Sequence, residues 1–453
     1  MPHFDLMIIG TGSGNTILGP EFDDWDVAIV ERDAFGGTCL NRGCVPSKML
    51  VYPADLVEAI RHSSRLGVEA SLDKINWPEI RARVFDRIDP IAVAGEEYRR
   101  RAANVSVFAG SGRFVAPRAL EVDEQVLTAD RVVIAAGARP FVPPVEGLDR
   151  VGFHTSDTIM RIRQIPERLV ILGGGYISAE MAHVFDSFGS SVSIVNRSNV
   201  LLRAEDEDVS RRFTEAYRGR LDLLLGMTAR SVEQDDAEIT VELAGAEGTT
   251  AVTADALLVA MGRVPNSDQL EVTAADVEVD DKGYVLVDET MATTAPGVWA
   301  LGDVCNPMQL KHVANLEAKV VRHNLLNPDN AVAADYTATP HAIFASPQVA
   351  SVGYTEQELR ARGLPHVTSC RDYAETAYGW AMEDTTGFCK VIADPGSGTL
   401  LGAHILGPQA STLIQQVVQG MRFGLTVEAM ARDVIYTHPA LPEVVEQALV
   451  GLL

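Results

Sequence analysis

Two cysteines stand closer together than any others in this chain, within Gly36-Gly37-Thr38-Cys39-Leu40-Asn41-Arg42-Gly43-Cys44-Val45-Pro46-Ser47-Lys48. Four residues separate Cys39 from Cys44. If a helix starts here, a short disulfide bridge across its first turn or so is feasible. A helix N-terminus also lowers a nearby thiol's pKa and favours the thiolate, which is the reactive form. The glycines allow close packing against a flat ligand, and Lys48 follows one turn beyond Cys44. Zinc is the competing use of close cysteines, but it needs two more ligands, typically a second paired motif, and none is present. A redox-active pair is the chemistry that fits.

A second stretch lies far along the chain, His438-Pro439-Ala440-Leu441-Pro442-Glu443. A reaction that forms thiols needs a proton donor to the leaving sulfur near neutral pH, and histidine suits that task. A carboxylate five residues on can orient the ring. Alone, such a stretch is more often structural; beside a redox pair it points to an acid–base group.

These side chains need a scaffold, and two segments of one pattern supply it. From Phe4 to Glu31 an apolar strand leads to Gly10-x-Gly12, then to a helix-length stretch, then to Val27-Ala28-Ile29-Val30 closed by Glu31. From Leu169 to Arg197 the same order recurs, with Gly173-x-Gly175, a helical pattern through Phe188, and Val192 to Val195. Both predict β-α-β units with glycines at the strand-to-helix turn. There the first glycine permits the turn, the second admits a pyrophosphate, and the helix N-terminus offers N–H groups to phosphate. Two such units, about 160 residues apart, suggest two dinucleotides on one chain. Asn15 and Ser178 stand where a third glycine is usual.

The strand tips separate the two ligands. Glu31 suits a ribose 2′-hydroxyl and repels a 2′-phosphate, so the first turn should hold FAD or NAD(H). The second ends Val195-Asn196-Arg197 with no acid, and Arg197 and Arg203 could clamp the 2′-phosphate of NADPH. The neighbouring run Glu205-Asp206-Glu207-Asp208 is expected on a solvated face. Three further apolar runs stop at Gly137, Gly262 and Gly302-Asp303, where a ligand can approach. From about residue 335 the texture changes, with strands alternating with helical stretches at 411–423 and 426–432.

At 453 residues the chain predicts several domains. A formal net charge of −24 argues against nucleic acid and gives no attraction to anionic lipid. No apolar run is long enough to span a membrane, and no signal peptide is visible, so a soluble cytoplasmic protein is expected. Five cysteines are too few for a structural framework; Cys305, Cys370 and Cys389 are scattered and expected to be inert.

At the redox stretch, both glycine turns, Gly173-Gly174-Gly175-Tyr176-Ile177-Ser178-Ala179-Glu180, Gly262-Arg263-Val264-Pro265-Asn266, Gly302-Asp303 and the His438 stretch, the chain resembles the pyridine nucleotide–disulfide oxidoreductases. The ordered set covers essentially the whole chain. The resemblance implies an α/β fold with two Rossmann-like dinucleotide-binding domains and a C-terminal α+β dimerisation domain. It implies an FAD domain from 1–148 completed by 265–334, an NADPH domain at 149–264 and an interface domain at 335–453. FAD would lie against Gly10, Gly12, Ser13, Gly14, Asn15, Glu31, Gly37, Thr38, Lys48, Gly137 and Asp303. NADPH would meet Gly173, Gly175, Tyr176, Ile177, Glu180, Arg197, Arg203 and Gly262. Tyr176 would cover the flavin, Lys48 and Glu180 would pair near its reactive nitrogen, Cys44 would face it, and Cys39 would attack the substrate disulfide. His438, held by Glu443, would be the acid–base and come from the partner subunit of a homodimer.

Within the family, Arg87 to Ala92, Leu310-Lys311-His312-Val313-Ala314-Asn315, Tyr378 to Asp384 and Gly10 to Asn15 resemble the subgroup that acts on mycothione, the disulfide of an acetylated cysteine on a sugar–inositol unit. Thr16 to Asp24, expected on the helix after the first turn, carries Glu21, Asp23 and Asp24 and no base, which would repel glutathione's carboxylates. Tyr98, Arg99, Arg100 and Trp380 are the side chains put forward for gripping the sugars. A lipoamide dehydrogenase would use NAD, against Arg197 and Arg203. A mercuric reductase would usually add a C-terminal cysteine pair, absent from Ala448 to Leu453. A non-catalytic flavin-binding redox sensor would not need Cys39, Cys44 and His438 together.

Overall fold

The structure, a computed structural model, describes residues 1–453 and divides into two compact units. The first comprises Met1–Ser47, Pro78–Phe141 and Gly262–Tyr336; the second comprises Lys48–Trp77, Val142–Met261 and Thr337–Leu453.

In the first unit, β1 (His3–Ile9) lies between β2 (Val27–Glu31) and the strand Gln125–Ile134, parallel to both. A further strand, β3 (Val105–Ala109), extends the sheet beyond β2, and Val298–Ala300 lies beside Gln125–Ile134. Leu6 to Ile9 and Val27 to Val30 are unbroken apolar runs because both faces of the sheet are covered. Successive side chains point to opposite faces. Met7 and Ile9 therefore enter one core and Leu6 and Ile8 the other.

The helix expected between β1 and β2 is not formed. Two single 3-10 turns, Gly14–Thr16 and Pro20–Phe22, replace it. The segment is short, Gly19-Pro20 interrupts it, and Pro20 begins a new turn rather than continuing the first. Its acids form no wall. Glu21 is paired with Arg322, and Asp23 and Asp24 are exposed. The expected acidic helix facing the substrate is thus withdrawn.

The second unit contains the other β-α-β as expected. Strand Arg168–Leu172, helix α4 (Tyr176–Ser187) and the parallel strand Ser191–Asn196 follow one another, with Ala256–Val259 on the other side of Arg168–Leu172. Further along, a five-stranded antiparallel sheet runs in the order Pro340–Ile343, Val349–Gly353, Leu400–Leu406, Phe388–Ala393, Val367–Asp372. Helices Ala410–Arg422, Val427–Arg432 and Pro442–Val450 share its core.

The acidic run Glu205 to Asp208 is the clearest departure from the sequence-based expectation. It leads into helix α5 (Glu207–Arg218), but Glu205 and Asp206 are buried, not solvated. Lys390, 3% exposed, donates to Asp206 and Asp208 at 2.9 and 2.7 Å and pairs with Glu356 at 2.6 Å. Glu205 takes hydrogen bonds from His341 at 2.7 Å and Ser351 at 2.8 Å. Cations from distant sequence positions turn the acids inward, and no local pattern announces them. No helix is long and apolar enough to cross a membrane.

Candidate active site

The cysteines lie in the first unit on two helices, not on one turn of a single helix. Cys39 is on α1 (Gly37–Arg42), which breaks at Gly43; Cys44 opens α2 (Cys44–Arg61). Gly43 has left helical geometry, and a Cβ there would stand 2.9 Å from the Thr38 carbonyl oxygen. Asn41 fixes the entry by donating to the carbonyls of Phe35 and Gly37 at 2.9 and 3.0 Å. Cys44 thereby occupies the positive end of an 18-residue helix. The two thiols are hydrogen-bonded to each other. That hydrogen bond, then burial, pushes the Cys39 thiol up, while the Lys311 charge pulls it down. The other cysteines are suppressed by burial: Cys370 is pushed up to about 11, and Cys305 and Cys389 also lie above the ordinary thiol value.

The first glycine turn packs directly on the cysteine helix. A Cβ on Gly37 would come within 2.8 Å of Gly12 Cα. Gly10 has φ +102°, and a Cβ there would sit 2.3 Å from the Ala135 carbonyl oxygen. Gly14 packs against Ile8 and Ala135, so it fills the place expected of the third glycine. Asn15 is freed from that role and takes two hydrogen bonds from Arg99 of helix α3 (Trp77–Arg101), both 2.7 Å. Arg99 is accordingly committed to the turn, which removes it from the substrate-gripping set. Arg100 is likewise occupied by Glu96, whereas Tyr98 and the Trp380 ring are exposed.

Glu31 closes β2 and accepts from the Thr11 N–H at 2.8 Å and the Thr11 hydroxyl at 2.6 Å, with the Asp33 N–H on its other oxygen. Its remaining lone pairs leave room for ribose hydroxyls. Gly137 faces open space. Asp303 is half-buried; burial raises its pKa, with the charges of Arg263 and Lys311 opposing. Beneath it Glu317, fully buried on helix α6 (Lys311–Leu326), accepts from the Gly302 N–H at 2.6 Å and Asn306 at 2.6 Å. A tight glycine turn, a carboxylate at the strand tip and a second anchored acidic turn fit FAD.

In the second unit, Gly173 has its Cβ position 2.4 Å from the Ala260 carbonyl oxygen, and Gly175 faces open space. Gly174 is required by Asn196, whose side chain a Cβ would meet at 2.6 Å. Asn196 in turn donates to Ser198 and Val200 and shapes the loop beyond the strand. Arg197 and Arg203 are exposed on that loop and pair with no carboxylate. Ile177 follows Tyr176 at the start of α4, where the first N–H groups have no intrahelical partner. This arrangement fits a phosphorylated dinucleotide. Ser178 is buried with its hydroxyl unpartnered, and Tyr176 is 46% exposed. Gly262 belongs to the first unit.

Also in the second unit, Lys48 Nζ donates to both oxygens of Glu180 at 2.7 Å, and Glu180 accepts the Phe344 N–H at 3.0 Å. His438 Nδ1 meets Glu443 Oε1 at 2.7 Å, and the other oxygen accepts the Ala440 N–H at 3.0 Å. The histidine side chain is 71% exposed and that of Glu443 only 11%. The His438 hydrogen bond holds the Glu443 carboxyl below its usual range. With Nδ1 bound to the carboxylate, Nε2 is presented to solvent for proton transfer.

Sequence reasoning assigned no role to Lys311, Asn315, Asn196 or Glu317. Lys311 and Asn315 did stand out as part of a characteristic stretch, but only the fold brings them against Ser13.

A hydrogen-bonded dithiol beside one dinucleotide turn, with a second turn in the same chain, defines a nucleotide-driven disulfide oxidoreductase. The profile of the pyridine nucleotide-disulphide oxidoreductases matches residues 4–318, and that of their dimerisation domain matches 339–449. The chain belongs to this family. It is 48% identical over the full length of both chains to the mycothione reductase of Mycobacterium tuberculosis (strain ATCC 25618 / H37Rv). It is 34% identical to the mercuric reductase of Streptomyces lividans, covering 97% of this chain and 93% of that one. Among solved structures, the HOCl-induced flavoprotein disulfide reductase RclA from Escherichia coli superposes with a TM-score of 0.86 at 27% identity, covering 98% of this chain and 99% of that one.

Proposed function

We propose that this chain is a cytoplasmic, FAD-dependent NADPH:disulfide reductase whose substrate is mycothione. The observation that carries the reading is the hydrogen-bonded Cys39–Cys44 pair at the N-terminus of α2. The full-length 48% identity to a mycothione reductase supports the substrate. The FAD domain is assigned to 1–148 and 265–334, the NADPH domain to 149–264 and the interface domain to 335–453.

When bound, FAD would supply the two-electron chemistry that links NADPH to the Cys39–Cys44 disulfide. Gly10, Gly12, Ser13, Gly14 and Asn15 receive the FAD pyrophosphate and Glu31 its ribose. Gly37, Thr38, Lys48, Gly137 and Asp303 position the rest of that cofactor. Gly173, Gly175, Ile177 and Gly262 admit NADPH, Tyr176 covers the flavin face, Glu180 orients Lys48, and Arg197 and Arg203 hold the 2′-phosphate.

Once reduced, the Cys39 thiolate attacks one sulfur of mycothione. The substrate S–S bond breaks, and the partner subunit's His438, oriented by Glu443, protonates the departing mycothiol. Cys44 then attacks Cys39 in the mixed disulfide, which releases the second mycothiol and restores the bridge. NADPH, one proton and one disulfide give NADP⁺ and two thiols. The acting form is a homodimer.

NADPH oxidation with equal concentrations of mycothione and glutathione disulfide tests the substrate, with turnover expected on mycothione alone. Cys39→Ser should abolish that turnover while NADPH still bleaches the yellow protein. Normal turnover by this variant would sink the assignment.

A further inference from the structure

Lys311 occupies an electrostatically unfavourable place. It is the first residue of α6, a 16-residue helix with no acid in its first turn and with His312 next to it. Cations are disfavoured at helix N-termini, where the dipole is already positive. The side chain is nonetheless half-buried and fixed. Its Nζ donates to Ser13 Oγ at 2.7 Å, and Ser13 Oγ donates to Asn315 Oδ1, one turn further along α6, at 3.0 Å. The serine hydroxyl thus has one donor and one acceptor, and the ammonium is held on the first glycine turn. That turn is pressed against the start of the cysteine helix, because a Cβ on Gly37 would come within 2.8 Å of Gly12 Cα. Lys311 is therefore anchored one residue from the glycine that packs on the helix carrying Cys39.

We infer that Lys311 is a positioning residue for thiol chemistry: anchored on Ser13, its ammonium stabilises Cys39 as a thiolate. The inference rests on the reading of Cys39 as the attacking sulfur. The groups that bear on Cys39 are the Cys44 thiol, which with burial favours the protonated form, and Lys311, which opposes them. The Lys311 charge also bears on Asp303, together with that of Arg263, and Asp303 in turn bears on Tyr284, Glu317 and Cys305. The ammonium lowers the energy of the negative sulfur and leaves proton transfer to the histidine.

The test is alkylation of the NADPH-reduced holoenzyme by iodoacetamide across a pH series, with the modified cysteine located by mass spectrometry. Lys311→Met should slow Cys39 alkylation about tenfold near neutral pH, because the thiol loses the charge that favours its thiolate. At high pH, where the thiolate forms regardless, wild type and variant should converge, and flavin content should match. Lys311→Arg should recover most of the neutral-pH rate. Lys311→Gln serves in place of Lys311→Met if the latter loses flavin. An unchanged pH profile, or a loss that persists at high pH, overturns the inference alone. Alkylation at Cys44 instead of Cys39 overturns the assignment of cysteine roles and the inference with it.

Discussion

A histidine that donates protons to sulfur must be held in one orientation, and Glu443 does this from a largely buried position. Because the carboxyl is kept below its usual range, it remains charged at every pH at which the thiols react. Replacing His438 by Gln should cut kcat/KM for the disulfide by about 10²- to 10⁴-fold, the usual worth of a general acid–base group. NADPH reduction of the flavin should be unaffected, since it needs no proton from this residue. Stopped-flow bleaching beside steady-state turnover separates the two steps. Equal losses in both would remove His438 from the acid–base role.

At the scale of elements, the second glycine turn depends on the strand tip beside it. Asn196 is tied to the loop by its amide, so it has little freedom to retreat from a Cβ placed at Gly174. Gly174→Ala should raise KM for NADPH about tenfold, equivalent to losing one or two loop hydrogen bonds. Flavin content should stay constant. The buried acids before α5 make a different prediction. Burial alone would raise the pKa values of Glu205, Asp206 and Asp208, but His341, His404 and Lys390 outweigh it and bring all three below their usual values. Carboxyls with depressed folded-state pKa values stabilise fully above their unfolded values, near 4. The contribution disappears as pH falls through the folded values. The thermal midpoint should therefore drop steeply in acid. Lys390→Met leaves Asp206 buried without its cation and should cost about 3 kcal/mol at neutral pH. Its midpoint should vary less with acid than that of the wild type.

At the scale of the whole molecule, the dimerisation profile over 339–449 and the exposed His438 make the dimer part of the proposed chemistry. Alone, Cys39→Ser should not turn over and His438→Gln should keep about one per cent of activity or less. Mixed dimers contain one intact cysteine pair facing one intact histidine. Random reassortment of equal amounts should thus restore about one quarter of wild-type activity. No recovery after verified subunit exchange would mean that each chain uses its own histidine.

The sequence by itself determined the chemistry and the class of fold. Reactive residue types sit at short spacings, as in Cys39 to Cys44 and His438 to Glu443, and apolar runs that stop at glycine mark parallel strands and their turns. Such signals are local, so they survive without coordinates. Contacts between distant segments were decided only in three dimensions. The inward acids at Glu205 and Asp206, the diversion of Arg99 to Asn15 and the seat of Lys311 on Ser13 all depend on partners remote in sequence. A charge or a polar side chain carries no record of which partner will meet it. Packing makes that choice, because burying it without a hydrogen bond or counter-charge costs more than local propensity can return.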